Sequence, residues 1–187
     1  MLFDTGANVG TLRYNLQKMD IDLQEIEAVV LSHAHGDHTG GIEIVGQMKN
    51  VQVFVPTSFF APIKRRLSIF SNVEMVEVSG ATEITEGITS TGEIGRIGEQ
   101  SLMVKTPKGL VIVTGCSHPG LDTIMNFAKD FGTIYGVVGG FHGFDKLETL
   151  RDVGVIVPCH CTRLKKRILS EFSKTSLQCA AGFVINI

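Results

Sequence analysis

All six histidines of this chain lie in short turn-like segments, and three of them share one run, Ser32-His33-Ala34-His35-Gly36-Asp37-His38-Thr39-Gly40-Gly41. Imidazole is the commonest side-chain metal ligand, and an H-x-H-x-D-H run supplies three imidazoles and a carboxylate, enough donors for two metal ions. His33 and His35, two positions apart, can chelate one ion from a tight turn and leave Asp37 and His38 for a second. The other histidines are His118, His142 and His160. This inventory reads as a metalloenzyme. Its His/Asp donors accept zinc, manganese or iron, with zinc the first expectation.

The histidines need elements to position them. A β-branched apolar run ends at each of their segments: Ile26 to Leu31 before the His33 run, Leu110 to Thr114 before Gly115-Cys116-Ser117-His118, Ile134 to Val138 before Gly139-Gly140-Phe141-His142, and Val153 to Val157 before Pro158-Cys159-His160-Cys161. Short Val/Ile-rich runs of this kind are buried strands. Every histidine therefore lies just past the carboxyl end of a strand, the edge at which α/β proteins build their sites. Helical stretches are expected at Thr11 to Met19, Thr57 to Phe70, Leu121 to Phe131 and Thr162 to Lys174. In the last of these Leu164, Ile168, Leu169 and Phe172 recur at helical spacing and form an amphipathic cover. Residues 79 to 106 read as short antiparallel strands and turns, with strands around Val76 to Val78 and Ser101 to Val104. Phe59, Phe60, Phe70, Phe127 and Phe131 are expected in the core, and residues 1 to 187 are read as a single domain.

Composition limits the alternatives. The chain has 187 residues, 43% apolar and 19% charged, with a net charge of −2. No apolar run approaches the ~20 residues that span a bilayer, and no basic segment followed by an apolar one opens the chain, so the cytoplasm is the expected compartment. The charge gives no electrostatic reason to expect nucleic acid. The four cysteines lack CxxC spacing and do not form a disulfide framework. Cys159 and Cys161 flank His160; on an extended chain they point to the face opposite it, where packing is their role. No GxGxxG after a strand and no Walker loop is present.

Two motifs together, Leu2-Phe3-Asp4-Thr5-Gly6 and Leu31-Ser32-His33-Ala34-His35-Gly36-Asp37-His38-Thr39-Gly40-Gly41, resemble the metallo-β-lactamase superfamily. The segments Thr114 to Gly120, Gly139 to His142 and Pro158 to Thr162 narrow the resemblance to the branch labelled dihydropterin-methyl-ribofuranosylaminobenzene-phosphate synthase. The resemblance runs from residue 2 to about residue 163. It implies an α/β protein, an αββα sandwich with a dinuclear site at one edge of its sheets. It also implies His33, His35 and His118 on one metal, and Asp37, His38 and His160 on the other. Asp4 is then a carboxylate that orients a liganding imidazole or a bound water. Two departures from the pattern stand out. Where most members carry a bridging Asp at a strand end, this chain has Gly115-Cys116, which makes Cys116 a possible thiolate ligand or a small buried residue. Members also have strands ahead of the Phe-Asp-Thr-Gly segment, so the first sheet is expected to lack its leading strands. The resulting edge is expected to be covered by a second copy in a homodimer or larger assembly.

The expected activity is that of a metal-dependent hydrolase using metal-bound hydroxide on a phosphate ester or related small-molecule substrate. Asp37 orients the nucleophile, and His142 serves as general acid or substrate contact. Two readings stand beside it: a C–N bond-forming transferase of the synthase type, and a catalytically weak module that uses its metals to hold a ligand.

Overall fold

The computed structural model describes residues 1–187, which divide into two compact units, Met1–Ser79 and Gly80–Ile187. In the first unit the chain runs β1 (Leu2–Phe3), α1 (Val9–Lys18), β2 (Ala28–Val30), α2 (Gly36–Thr39), β3 (Val51–Pro56), α3 (Ala61–Leu67) and β4 (Val73–Val78). The sheet order is β1-β2-β3-β4, and every pairing is parallel; Val76 to Val78, expected in an antiparallel strand, end β4 and pair in parallel with β3, because α3 returns the chain to the same end of the sheet. Parallel neighbours need crossover connections. α1 and α3 supply two of them, and α2 with a 3-10 stretch, Ile42–Gln47, supplies the third. Asn8 starts α1 from an extended backbone, its side-chain oxygen accepting the Thr11 N–H at 3.1 Å. α3 is shorter than the apolar pattern suggested because Pro62 fixes its first turn and Thr57 and Ser58 are spent on the turn before it.

The core of this unit explains why the strands lie where they do. Val29, Leu31, Ile42, Ile44, Val53, Val55 and Leu67 have no exposed surface. Each such side chain contributes about 1.5–3 kcal/mol on removal from water. β2 is buried along its whole length, as a strand between two parallel neighbours must be.

The second unit contains β5 (Thr82–Thr85), β6 (Ile88–Ser90), β7 (Leu102–Thr106), β8 (Gly109–Thr114), α4 (Leu121–Ala128), β9 (Ile134–Gly140), β10 (Val155–Cys159) and α5 (Lys165–Glu171). Its sheet has the order β10-β9-β8-β7-β6-β5 and changes character at β8. β5 to β8 are antiparallel, as the turn-rich segment suggested, whereas β8, β9 and β10 are parallel. The parallel half sets the geometry of the histidines. Thr114 pairs with Gly139, and Gly139 with Pro158, so three carboxyl ends stop level with one another. α4 buries Leu121, Ile124, Met125 and Ala128, a single face at helical spacing, against Ile112, Val137 and Ile156 of the sheet.

Two phenylalanines depart from expectation. Phe60 is 63% exposed because it precedes the first turn of α3 in a non-helical conformation that turns it outward. Phe131 is 43% exposed because it follows the end of α4; its ring lies 5.3 Å from that of Phe127. No helix is long and apolar enough to cross a membrane.

Candidate metal centre

Within Met1–Ser79, the donors come from one turn and are held from beneath by another. β1 and β2 pair in parallel with Phe3 opposite Val30, so Asp4 and Leu31 leave the sheet side by side. Asp4 then adopts a positive φ of 60° and aims its carboxylate at the second turn. Its Oδ1 accepts the Ser32 N–H at 2.6 Å, its Oδ2 accepts the Ser32 hydroxyl at 2.7 Å, and Oδ2 lies 2.6 Å from His38 Nδ1. A carboxylate on Nδ1 fixes an imidazole with its proton on that nitrogen and presents Nε2 as the donor. That Nε2 stands 3.6 Å from Asp37 Oδ2.

His33 and His35 make a second pair. His33 Nε2 is 3.0 Å from His35 Nδ1, and His33 Nδ1 is 2.9 Å from the Ser32 hydroxyl. Two ring nitrogens at that separation have the spacing of two ligands on one cation about 2.0–2.1 Å from each. His33 and His38 are buried, with ring centroids 4.2 Å apart, while His35 and Asp37 reach solvent.

The turn carrying these groups is cemented by backbone contacts. Thr5 N–H and the Thr5 hydroxyl both donate to the His38 carbonyl, at 2.8 and 3.0 Å. Gly41 is required by this contact: a Cβ there would stand 2.2 Å from the Thr5 carbonyl oxygen. The Asp-Thr-Gly and Thr-Gly-Gly motifs are thus the two faces of one packing contact.

Within Gly80–Ile187, the donors come from three strand ends. His118, His142 and His160 follow β8, β9 and β10, and cross-links tie their turns together. The Ser117 hydroxyl donates to the Gly140 carbonyl at 2.7 Å. Phe141 N–H donates to the Thr162 hydroxyl at 3.0 Å, and Arg163 N–H to the His142 carbonyl at 2.9 Å. The His118 and His142 rings lie 4.9 Å apart. Cys116 Sγ and a His160 ring nitrogen come within 4.8 Å of each other. Behind His118 sits Glu99, fully buried, with Oε2 2.8 Å from His118 Nδ1.

Five residues other than glycine have positive φ, and four of them, Asp4, Ser117, His142 and His160, belong to these turns. Each such residue costs of order 1–3 kcal/mol and persists only where its surroundings impose it. His160 at φ 42° also corrects an expectation. The chain is not extended through Pro158-Cys159-His160-Cys161, because β10 ends at Cys159 and His160 turns left-handed. Cys159 is partly buried and its thiol is pushed up to about 12, first by burial and then by a hydrogen bond with Cys179, so at neutral pH it is a thiol. A cavity of about 450 Å³ lined by Val138, Val157, Cys159, Cys179 and Phe183 opens beside His160.

Sequence reasoning assigned no role to Ser32, Thr162 or Glu99. Ser32 sat in the motif unremarked. Glu99 lies on a loop with no motif of its own, and only its burial distinguishes it from the chain's other glutamates.

The chain has the metallo-β-lactamase fold. It matches a solved metal-dependent hydrolase of the β-lactamase superfamily with a TM-score of 0.78 and 25% identity, covering 99% of this chain and 88% of that one. It matches the metallo-β-lactamase fold protein YhfI of Bacillus subtilis with a TM-score of 0.66 and 16% identity, covering 97% and 84%. By sequence it is 26% identical to the 7,8-dihydropterin-6-methyl-4-(beta-D-ribofuranosyl)-aminobenzene-5'-phosphate synthase of Methanocaldococcus jannaschii. That alignment covers 99% of this chain and 83% of the relative over 259 positions, more than the chain's 187 residues, so the relative carries inserted segments. Residues 1–76 also match the family model described as anti-Pycsar protein Apyc1. The resemblance read from the motifs, to the superfamily and to its synthase-labelled branch, is borne out.

Proposed function

We propose that the chain is a single-domain metal-dependent hydrolase with a dinuclear centre. In this reading His33, His35 and His118 hold one ion and Asp37, His38 and His160 the other. The observation that carries it is the double pair on a single turn: His33 and His35 nitrogens at 3.0 Å, and His38 Nε2 and Asp37 Oδ2 at 3.6 Å. The imidazole and carboxylate donors suit zinc first, then manganese or iron. When bound, the ions supply Lewis-acid polarisation of the attacked group and a water acidic enough to ionise near neutral pH.

The protein groups do the rest. Asp4 holds His38 in one tautomer and one orientation. Asp37, half-exposed, accepts a hydrogen bond from the attacking water and turns its lone pair toward a phosphate ester. His142 stands beside His118 on a strained backbone and delivers a proton to the leaving oxygen. The apolar cavity beside His160 suits the uncharged part of a small-molecule substrate. A cytoplasmic location and a homodimer complete the proposal.

A transferase reading is favoured by one observation, the match over nearly the whole chain to a relative named as a synthase. In it the same metals assist loss of a leaving group during C–N bond formation. A ligand-binding module is favoured by another, Gly115-Cys116 where a bridging Asp is expected.

Metal analysis of protein purified without chelator or nickel, followed by a phosphodiester, phosphomonoester and lactone screen, tests the proposal. About two ions per chain, falling to about one in His38→Ala, with turnover in the screen, is the expected result. Two ions without turnover favours the transferase. One ion or none favours the binding module.

A further inference from the structure

We propose that Glu99 is a positioning residue that locks the His118 imidazole as the Nδ1–H tautomer, leaving Nε2 as its metal donor. The proposal rests on the reading of His118 as a ligand. Glu99 is a carboxylate with no exposed surface, an arrangement that survives only when its oxygens are fully used. They are. Oε1 accepts the N–H groups of Cys116 and Ser117 at 2.8 and 2.7 Å, and Oε2 accepts the His118 N–H at 2.8 Å. The fourth contact is His118 Nδ1, also at 2.8 Å from Oε2.

Backbone donors on both oxygens favour the ionised carboxylate, and an ionised carboxylate can only accept. Nδ1 must then be the donor. Three successive N–H groups converging on one anion form a backbone nest, and Ser117 at φ 59° is the residue that bends the chain into it. Glu99 is brought there by its own hairpin: Ile94 and Glu99 exchange hydrogen bonds of 3.0 and 3.2 Å across the turn Gly95 to Gly98. The backbone contacts alone would make Glu99 a loop staple. The Nδ1 contact adds control of which ring nitrogen carries the proton.

Glu99→Gln separates the two roles. With its amide oxygen toward Cys116 and Ser117, the glutamine keeps two of the three backbone contacts; its NH₂, in the place of Oε2, gives up the His118 N–H and can only donate to Nδ1, which drives the proton to Nε2. Two-bond ¹H–¹⁵N spectra of the metal-depleted protein read the tautomer, and cobalt(II) titration against a competing chelator reads affinity. The unaltered protein is expected to show His118 as Nδ1–H. Glu99→Gln is expected to show Nε2–H, with cobalt affinity at the His118 site lowered by about 10- to 100-fold. Glu99→Asp, which keeps the charge, is expected to restore the Nδ1–H signal.

An unchanged tautomer and unchanged affinity in Glu99→Gln would overturn the proposal. Should that variant fail to fold, an Nε2–H signal for His118 in the unaltered protein would overturn it equally. His118→Ala distinguishes this failure from failure of the metal reading. Cobalt lost from His118→Ala but retained by Glu99→Gln removes only the role of Glu99, whereas cobalt retained by His118→Ala removes His118 as a ligand and the proposal with it.

Discussion

The two units solve one positioning problem in different ways. Met1–Ser79 gathers His33, His35, Asp37 and His38 on a single turn, so local backbone geometry sets most of their spacing. Gly80–Ile187 gathers His118, His142 and His160 from three strand ends, and their spacing depends on the parallel register of β8, β9 and β10. Both back a histidine with a carboxylate on Nδ1. In the first unit that carboxylate is Asp4, 12% exposed; in the second it is Glu99, with none of its surface exposed. A donor set made by one turn tolerates changes elsewhere in its unit, whereas a set assembled by topology relies on every cross-link among its loops.

The largest expected effect lies in the donors themselves. His33→Ala should reduce turnover to background and remove one metal equivalent, because it breaks the 3.0 Å pair with His35. Metal analysis and the ester screen would show it, and full activity in this variant would end the reading of the first turn as a chelate.

Next comes the contrast between the carboxylates. Glu99→Ala would strand four donors, two of them buried and two part-buried, and should lower stability by about 3–5 kcal/mol, whereas Asp4→Ala, nearer solvent, should cost about 1–3 kcal/mol. Urea unfolding of both variants measures the difference. Equal costs would show that burial is not what separates the two units.

This contrast is also the boundary of what could be read from sequence. The His33 run was legible because its chemistry is local. The strand before each later histidine was legible from its β-branched run, and so was the common edge on which the histidines lie. Glu99 was not, because 19 positions separate it from His118 and only the hairpin at 94–99 brings them together. The left-handed turn at His160 was equally hidden, since nothing in Pro-Cys-His-Cys demands a positive φ. β3 was not legible because exposed Gln52 breaks its Val-rich run and no histidine motif marks its end.

A smaller effect is expected from Gly41→Ala. Its Cβ would overlap the Thr5 carbonyl oxygen at 2.2 Å, and the loss should be about 1–3 kcal/mol, confined to Met1–Ser79. Hydrogen exchange resolved by segment would show whether the second unit keeps its protection. If both units lost protection together, they would unfold as one.

The smallest effect belongs to the surface. Glu43 pairs with Arg66, and although burial alone would raise its carboxyl, the Arg66 hydrogen bond, its own backbone N–H and the Arg66 charge together hold it below the usual carboxylate range. A lowered carboxyl stabilises the fold at pH values above its unfolded pKa, and that contribution fades as pH falls through the lower folded value. Both side chains are more than 40% exposed, so Arg66→Ala should cost under about 1 kcal/mol at neutral pH. The cost should shrink with added salt and vanish in strong acid. A constant cost across that titration would place the effect of Arg66 in packing.

The left-handed residues at Asp4, Ser117, His142 and His160 carry a consequence for engineering and for evolution. Glycine would relax the backbone at each of these positions. A selection for thermal tolerance alone would therefore reward removal of three side chains proposed to act at the site, those of Asp4, His142 and His160, and of the Ser117 hydroxyl that ties its turn to Gly140. Variants that gain melting temperature at these positions while losing metal or turnover would mark the site from the outside, with no substrate in hand.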